Sequence, residues 1–333
     1  MLFFISKGYF ASRNCRREIE ASLNATLPLV LLHEQQEDKG GGSLEALKAE
    51  CREEMRSRIF DGQRTPFTWH RISHYQNLTL KLIATEMLNQ SLLDSDVAGG
   101  SNKEVSLVLP GEINLADLAM PQPVVLWCSA ANPGATELAQ ELAGSLASGG
   151  AAIRVVDRKP NVQALIAAGE SAVMLLYLNE DTWVEQSKEL ERDVRATNNF
   201  GHGHGSAAAR PSRTGSRLRH HRRPSLGESE GGVADIKIVL VHENDRNKGG
   251  CEFGTLFATT PQELIEAGIY KDIAIALHTP PHRAVSLALV AHAFGATKDA
   301  AQPKLSIGLS ASVISQSQSV ISRPRAQPRE QKV

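Results

Sequence analysis

The sequence of 333 residues predicts an α/β fold in which helices cover both faces of parallel sheets. Short apolar runs alternate with helix-like stretches, and most of the runs are apolar throughout, as in strands buried on both faces. A motif also recurs, because "HEQQEDKGG" at His33–Gly41 is matched by "HENDRNKGG" at His242–Gly250, each after an apolar run. The recurrence indicates that two parts of the chain share one fold.

Composition narrows the functional classes. The hydrophobic content of 41% and charged content of 22% are ordinary for globular proteins. A net charge of −1 supplies no positive field for phosphates, so no specific nucleic-acid partner is expected. No apolar run approaches the ~20 residues that span a bilayer. The four cysteines form no CxxC pair, which favours reduced thiols in a cytoplasmic protein and predicts no metal site.

The second half carries the fuller pattern. "VVLWCSA" (Val124–Ala130) and "AAIRVVD" are strands around the helix "TELAQELAGSLAS", and a short helix precedes a third strand, "VMLLYLN". With the strand before His242 and the later "IAIAL", these elements predict a complete five-stranded doubly wound unit. The first half has counterparts of only the last three strands, so "FFIS" begins in the middle of the fold. The predicted organisation is a partial domain at 1–90, a linker at 91–122, a complete domain at 123–298 and a disordered tail at 299–333.

An insert interrupts the second unit. The spacing between matching residues increases between Asp193 and His242, where the chain is rich in Gly, Ser, Arg and His. Such a segment buries too little apolar surface to fold, so we predict a disordered insert at 198–233. Its His–Gly run could ligate a metal and its arginines could contact phosphates, but a solvated loop is the simpler interpretation.

The first strand and helix resemble a known family. In "FFISKGYFASRNCRREI" an apolar strand is followed by Ser6, the aromatic Tyr9 and an S-x-x-C-x-x-E motif formed by Ser12, Cys15 and Glu18. This order resembles the third strand and following helix of Toll/interleukin receptor (TIR) domains. The chain is therefore similar to a tandem TIR protein with one partial and one complete copy.

The resemblance implies a fold and a function. TIR domains are flavodoxin-like modules that assemble through one another, which implies signalling by association with other TIR domains as a homo- or hetero-oligomer, without a cofactor. Some members cleave NAD with the glutamate that Glu18 matches. The alternative function is therefore an NAD nucleosidase with NAD as substrate, completed by oligomerisation or by an upstream segment.

The carboxylates of the two copies differ. Asp193 matches Glu18 but is shorter by one methylene, Leu190 replaces Cys15, and a loose spacing puts Gln186 opposite Ser12. Because a small displacement is costly at a positioned site, Asp193 is predicted to be inactive. Glu18 also has a simpler interpretation as a charge near the start of a helix, stabilised by the helix dipole.

Two further pairs are candidate site residues. His33–Glu34 and His242–Glu243 end strands that feed a glycine-rich loop. Ligands of open α/β sheets bind at the carboxyl ends of strands, which makes these pairs a candidate loop site. The alternative is that they cap the next helix or bond the loop backbone. A response-regulator receiver needs an acidic pair after the first strand, and "WCSAANPG" has none.

Overall fold

The computed structural model describes residues 1–60, 64–94, 107–146, 153–185, 187–197 and 236–298. The described residues form two compact units, the first ending at Glu112 and the second beginning at Ile113. The disordered insert predicted at 198–233 and the tail predicted at 299–333 lie outside the described residues.

The first unit contains a three-stranded parallel sheet. Its strands are β1 (Leu2–Ile5), β2 (Val30–His33) and β3 (Phe67–Thr68), in the order β1-β2-β3. Within the described residues β1 pairs only with β2, which leaves β1 at an edge of the sheet. Parallel strands need crossover connections, and helices supply them here.

The helices of the first unit begin at residues that cap them. Ser12 Oγ accepts a hydrogen bond from the Cys15 amide at 3.4 Å, and Ser43 Oγ accepts one from the Ala46 amide at 3.2 Å. Ile19 then lies fully buried against the sheet. The helices are α1 (Arg13–Asn24), α2 (Leu44–Glu50), α3 (Glu53–Phe60) and α4 (Ser73–Asp94).

The second unit contains a five-stranded sheet that is parallel throughout. Its order is β6-β5-β7-β8-β9, with the first strand of the sheet lying between the second and the third. This order is compatible with a flavodoxin-like fold and confirms the predicted α/β class. The strands of the unit are β4 (Leu118–Ala119), β5 (Val124–Trp127), β6 (Ile153–Val156), β7 (Ser171–Leu178), β8 (Lys237–Glu243), β9 (Ile275–Leu277) and β10 (Thr297–Lys298).

Helices bury both faces of this sheet. Alternate residues of β7 separate into two cores: Leu175 packs with the residues of one face, and Met174 and Leu176 pack with those of the other. No helix in the described ranges is long and apolar enough to cross a membrane. The helices are α5 (Ala135–Ser145), α6 (Val162–Ala167), α7 (Ser187–Arg195), α8 (Phe253–Thr259), α9 (Gln262–Glu266) and α10 (Arg283–Ala293).

The structure places part of the predicted linker 91–122 inside the folded units. Helix α4 ends at Asp94, beyond the predicted domain boundary at residue 90. Leu115 and Leu118 are buried in the same core as α10, and β4 pairs antiparallel with β10. These leucines enter the core because burial of their side chains is worth about 1.5–3 kcal/mol each.

Candidate functional site

The two histidine–glutamate pairs end strands β2 and β8, and their histidines make the same contact. His33 Nε2 donates to the Gly42 carbonyl oxygen at 2.8 Å, and His242 Nε2 donates to the Cys251 carbonyl oxygen at 2.8 Å. Burial lowers the pKa of His242, which keeps this ring neutral. Each histidine therefore holds the far end of the loop that follows its strand.

The glutamates hold the near end of the same loops. Glu34 Oε1 accepts the Gln36 amide at 3.0 Å, and Glu243 Oε1 accepts the Asp245 amide at 2.9 Å. Their side chains are 1% and 0% exposed. A carboxylate this deeply buried requires a cation, because desolvation of an isolated charge costs several kcal/mol.

Two arginines supply the cations. Arg71 forms an ion pair with Glu34, and Arg283 Nη1 lies 3.0 Å from Glu243 Oε2. Arg71 comes just before α4, and Arg283 is the first residue of α10. Sequence reasoning missed both roles, although a glutamate at the end of an apolar strand is itself a signal that a cation lies nearby.

In the second unit the Glu243–Arg283 ion pair is part of a larger hydrogen-bond network. Arg283 Nε donates to Glu141 Oε1 on α5 at 2.6 Å, and the Tyr177 hydroxyl donates to Glu243 Oε2 at 2.9 Å. Hydrogen bonds from Arg283 lower the pKa of Glu141. Burial, followed by the charge of Glu243, raises the pKa of Tyr177. Both carboxylate oxygens of Glu243 accept hydrogen bonds within this network, from the Asp245 amide, the Tyr177 hydroxyl and Arg283.

The two loops have glycines at corresponding positions. Gly40 and Gly249 have φ angles of +79° and +74°, in the left-handed region that favours glycine. A Cβ on the following residue would meet backbone atoms, at 2.5 Å for Gly41 and 2.6 Å for Gly250. The turn itself therefore requires both glycines, without any bound phosphate.

The sheet register gives each unit an aromatic residue at the same place. Ile5 lies opposite His33 and is preceded by Phe4, while Leu178 lies opposite His242 and is preceded by Tyr177. Phe4 and Tyr177 are therefore register counterparts.

In the S-x-x-C-x-x-E motif Ser12 caps α1, and Cys15 and Glu18 lie on the helix. Of these three residues, Glu18 alone lines an open depression on the surface. Glu18 is exposed, and its carboxylate has no hydrogen-bond partner within the described residues. Cys15 is half-buried, and the neighbouring Tyr9 hydroxyl is buried without a hydrogen bond to any described residue. Burial raises the pKa of Tyr9, with smaller contributions from Cys15 and Glu18. Within the described chain, no hydrogen bond or ion pair joins Glu18 to His33 or Glu34.

Asp193, the residue of the second unit that matches Glu18, has a hydrogen-bonded carboxylate. Ser129 Oγ, in the connection from β5 to α5, donates to Asp193 Oδ2 at 2.5 Å. The counterpart of Ser12 is Ser187 and not Gln186, because Ser187 precedes Leu190 by the same number of residues as Ser12 precedes Cys15. Gln186 itself lies outside the described residues.

The described residues hold no group of three or more His, Cys, Asp or Glu side chains that could bind a metal ion. The His–Gly run of the insert lies outside this part of the chain. Comparisons with protein families, with curated proteins and with solved structures gave no match for this chain. The similarity to TIR domains therefore stays a prediction from the first strand and helix.

We expect Gly250→Ala to lower the free energy of unfolding by about 1–3 kcal/mol, because the new Cβ would contact the loop backbone. Gly144→Ala is the matched control, since Gly144 lies in α5 with nothing within 4 Å of a Cβ. That change should instead stabilise by about 0.5–1 kcal/mol. Denaturant unfolding measures both, and equal effects would contradict the proposed backbone constraint.

We expect Arg283→Met to destabilise the protein by about 3–5 kcal/mol, because Glu243 would stay buried without its cation. Arg154→Met is the matched control: Arg154 also pairs with a carboxylate, Glu170 at 2.7 Å, but its side chain is 56% exposed. That control should cost less than about 1 kcal/mol. Similar losses for both variants in denaturant unfolding would show that burial of the Glu243 pair is not decisive.

Proposed function

We propose that the chain is a cytoplasmic TIR-type signalling module that acts by associating with other TIR-like domains, including copies of itself. The observation that carries the proposal is that one chain contains two α/β units with the same buried His–Glu loop. On this proposal the first unit is a partial TIR-like copy and the second is a complete one.

Several local features support a common origin of the two units. The two histidine contacts, the two glutamate–amide bonds and the two glutamate–arginine pairs are alike in geometry. The strand order β1-β2-β3 corresponds to β7-β8-β9 in the second sheet. Two linked modules favour assembly, because the first contact raises the effective concentration of the second.

An aromatic surface on the second unit is a candidate contact for association. Phe253 and Phe257 lie one turn apart on α8, and their rings lie 5.2 Å and 5.9 Å from the Tyr270 ring. Phe253 is 38% exposed and Phe257 is 49% exposed. Exposed aromatic clusters of this kind are typical of protein-contact surfaces.

We expect the full chain to self-associate as its concentration rises, with Phe257→Lys shifting association to at least about tenfold higher concentration. Ile166→Lys is the control, because Ile166 is 59% exposed on α6, outside the aromatic cluster. Sedimentation velocity over a concentration series measures the mass. A folded wild type that stays monomeric contradicts the proposed association, and an unaffected Phe257→Lys contradicts the role of this surface.

The second candidate function is NAD cleavage by Glu18. The observation that favours it is the unpartnered carboxylate of Glu18, which contrasts with Asp193 bound to Ser129. Cleavage of the nicotinamide–ribosyl bond builds positive charge on the sugar, and a free carboxylate can stabilise that charge. An engaged aspartate is less available for this role.

If this second function operates, concentrated wild-type protein will consume NAD and Glu18→Gln will lose at least about 100-fold in rate. Glu20→Gln is the matched control, since Glu20 is two residues along α1 and lines the same depression. It should retain the wild-type rate. The NAD concentration is followed over time by chromatography. If it stays constant in the presence of folded, associated protein, NAD cleavage is excluded under those conditions.

A further inference from the structure

The connection from one strand to the following helix carries opposite charge in the two units. The basic segment, residues 6–17, joins β1 to the start of α1, and the acidic segment, residues 179–192, joins β7 to the start of α7. The segments are equivalent, because Ile5 and Leu178 precede them and lie opposite the histidine of the neighbouring strand in their units. Each unit therefore has one of these segments at the carboxyl edge of its sheet.

The two segments have formal charges of opposite sign. The basic segment contains four cations and no carboxylate, so its formal charge is +4. The acidic segment contains five carboxylates and two cations, so its formal charge is −3. The cations of the basic segment are Lys7, Arg13, Arg16 and Arg17, and the carboxylates of the acidic segment are Glu180, Asp181, Glu185, Glu189 and Glu191. When two copies of the chain meet, these surfaces are electrostatically complementary.

The cations of the basic segment have no partner within the described residues. Lys7, Arg13 and Arg17 are exposed, and no ion pair in this part of the chain includes any of the four cations. Glu50 of α2 does contact this segment, but its carboxylate accepts the Gly8 amide at 2.9 Å and forms no ion pair with Lys7. The positive charge of the segment is therefore available to a partner.

The carboxylates of the acidic segment also have few internal partners. Among the described residues, Glu191 is the one carboxylate of the segment in an ion pair, with Arg195 at 2.8 Å. The other four are exposed. Val184 lies between them in the sequence and is 60% exposed, so it offers an apolar contact inside a charged surface. An apolar centre with a polar rim is typical of protein-contact surfaces.

The arginines of the basic segment are placed against the dipole of their own helix. Arg13 is the first residue of α1, Arg16 and Arg17 follow within five residues, and the first turn holds no acidic residue. Cations at this end of a helix are destabilising, whereas α7 has the favourable arrangement with Glu189 in its first turn. Glu20 follows Arg16 by four residues but forms no ion pair with it in the described chain. Helix stability therefore does not explain these arginines, whereas binding of an acidic partner does.

We propose that the basic segment of one chain binds the acidic segment of a second copy of this chain. Two different surfaces meet in this contact, so each pair of bound copies keeps one basic and one acidic segment free. Further copies can then add to both ends, and association continues beyond a dimer into an open chain or a closed ring. The inference rests on the proposed association between copies but not on TIR membership, and it adds a charged contact to the aromatic surface of α8.

Salt tests the charged contact on the unmodified full-length chain. Sedimentation velocity over a concentration series should show species larger than a dimer at low ionic strength. Between about 0.1 M and about 1 M salt, the association should shift to at least about tenfold higher protein concentration, because the Debye length falls from about 10 Å to about 3 Å. An association that salt leaves unchanged or strengthens contradicts a contact made by exposed charges.

Two charge-reversed variants identify the segments. Each variant has two surfaces of like charge, so each alone should associate only at a concentration at least about tenfold higher than the wild type. All six side chains are exposed, and glutamates at the start of α1 complement its dipole, so both variants should fold like the wild type. The first variant carries Lys7→Glu, Arg13→Glu and Arg17→Glu, and the second carries Glu180→Lys, Asp181→Lys and Glu185→Lys.

An equimolar mixture of the two variants is the decisive sample. Its association should return to within about threefold of the wild-type concentration, because the acidic surfaces of one variant meet the basic surfaces of the other. The control variant changes the net charge by the same amount at exposed arginines outside both segments, none of them in an ion pair among the described residues. It should associate like the wild type, and it carries Arg52→Glu, Arg158→Glu and Arg246→Glu.

Three results overturn the proposal. A folded wild type that stays monomeric overturns it together with the proposed association. A wild type that associates while both charge-reversed variants behave like the control overturns this inference alone and leaves the association to other surfaces, such as the aromatic one. Variants that lose association but do not regain it when mixed show that the basic and acidic segments do not bind each other.

Discussion

The organisation of the second unit depends on one ion pair, between Glu243 and Arg283, at the carboxyl end of a buried strand. The strand places a carboxylate where water cannot solvate it, so the charge must be met within the fold. One oxygen bonds the Asp245 amide and fixes the turn, and the other receives Arg283 and Tyr177. The same pair therefore orients the glycine loop, the first turn of α10 and, through Glu141, helix α5.

The first unit meets the same constraint with fewer partners. Glu34 is as buried as Glu243 and pairs with Arg71, yet the aromatic counterpart is a phenylalanine that cannot donate a hydrogen bond. Among the described residues Arg71 forms an ion pair with Glu34 and its charge also lowers the pKa of Asp38, whereas Arg283 forms ion pairs with both Glu243 and Glu141 of α5. The buried end of the site is thus conserved in geometry between the units, while the solvent side differs by what α5 contributes.

Local patterns in the sequence predicted the strands and the two loops well, because apolar runs and the His–Glu–Gly–Gly order are short-range signals. They did not predict the arginines, which lie far along the chain from their glutamates, nor the bond between Ser129 and Asp193. Periodicity has no information about such distant pairs. The burial of Leu115 was missed for a related reason, since a short helical turn has too few residues to show a period.

The chemistry proposed for Glu18 depends on what lies over its carboxylate. An exposed carboxylate acts in a high dielectric, where its attraction for a developing positive charge is reduced several-fold relative to a buried one. A polypeptide segment lying over Glu18 would exclude water from the carboxylate and raise that attraction. If the segment also carried a hydroxyl placed like that of Ser129, it would occupy the carboxylate instead. If both proposed functions operate, association and NAD cleavage would therefore depend on each other, and the residue that a partner places opposite Glu18 would decide between them.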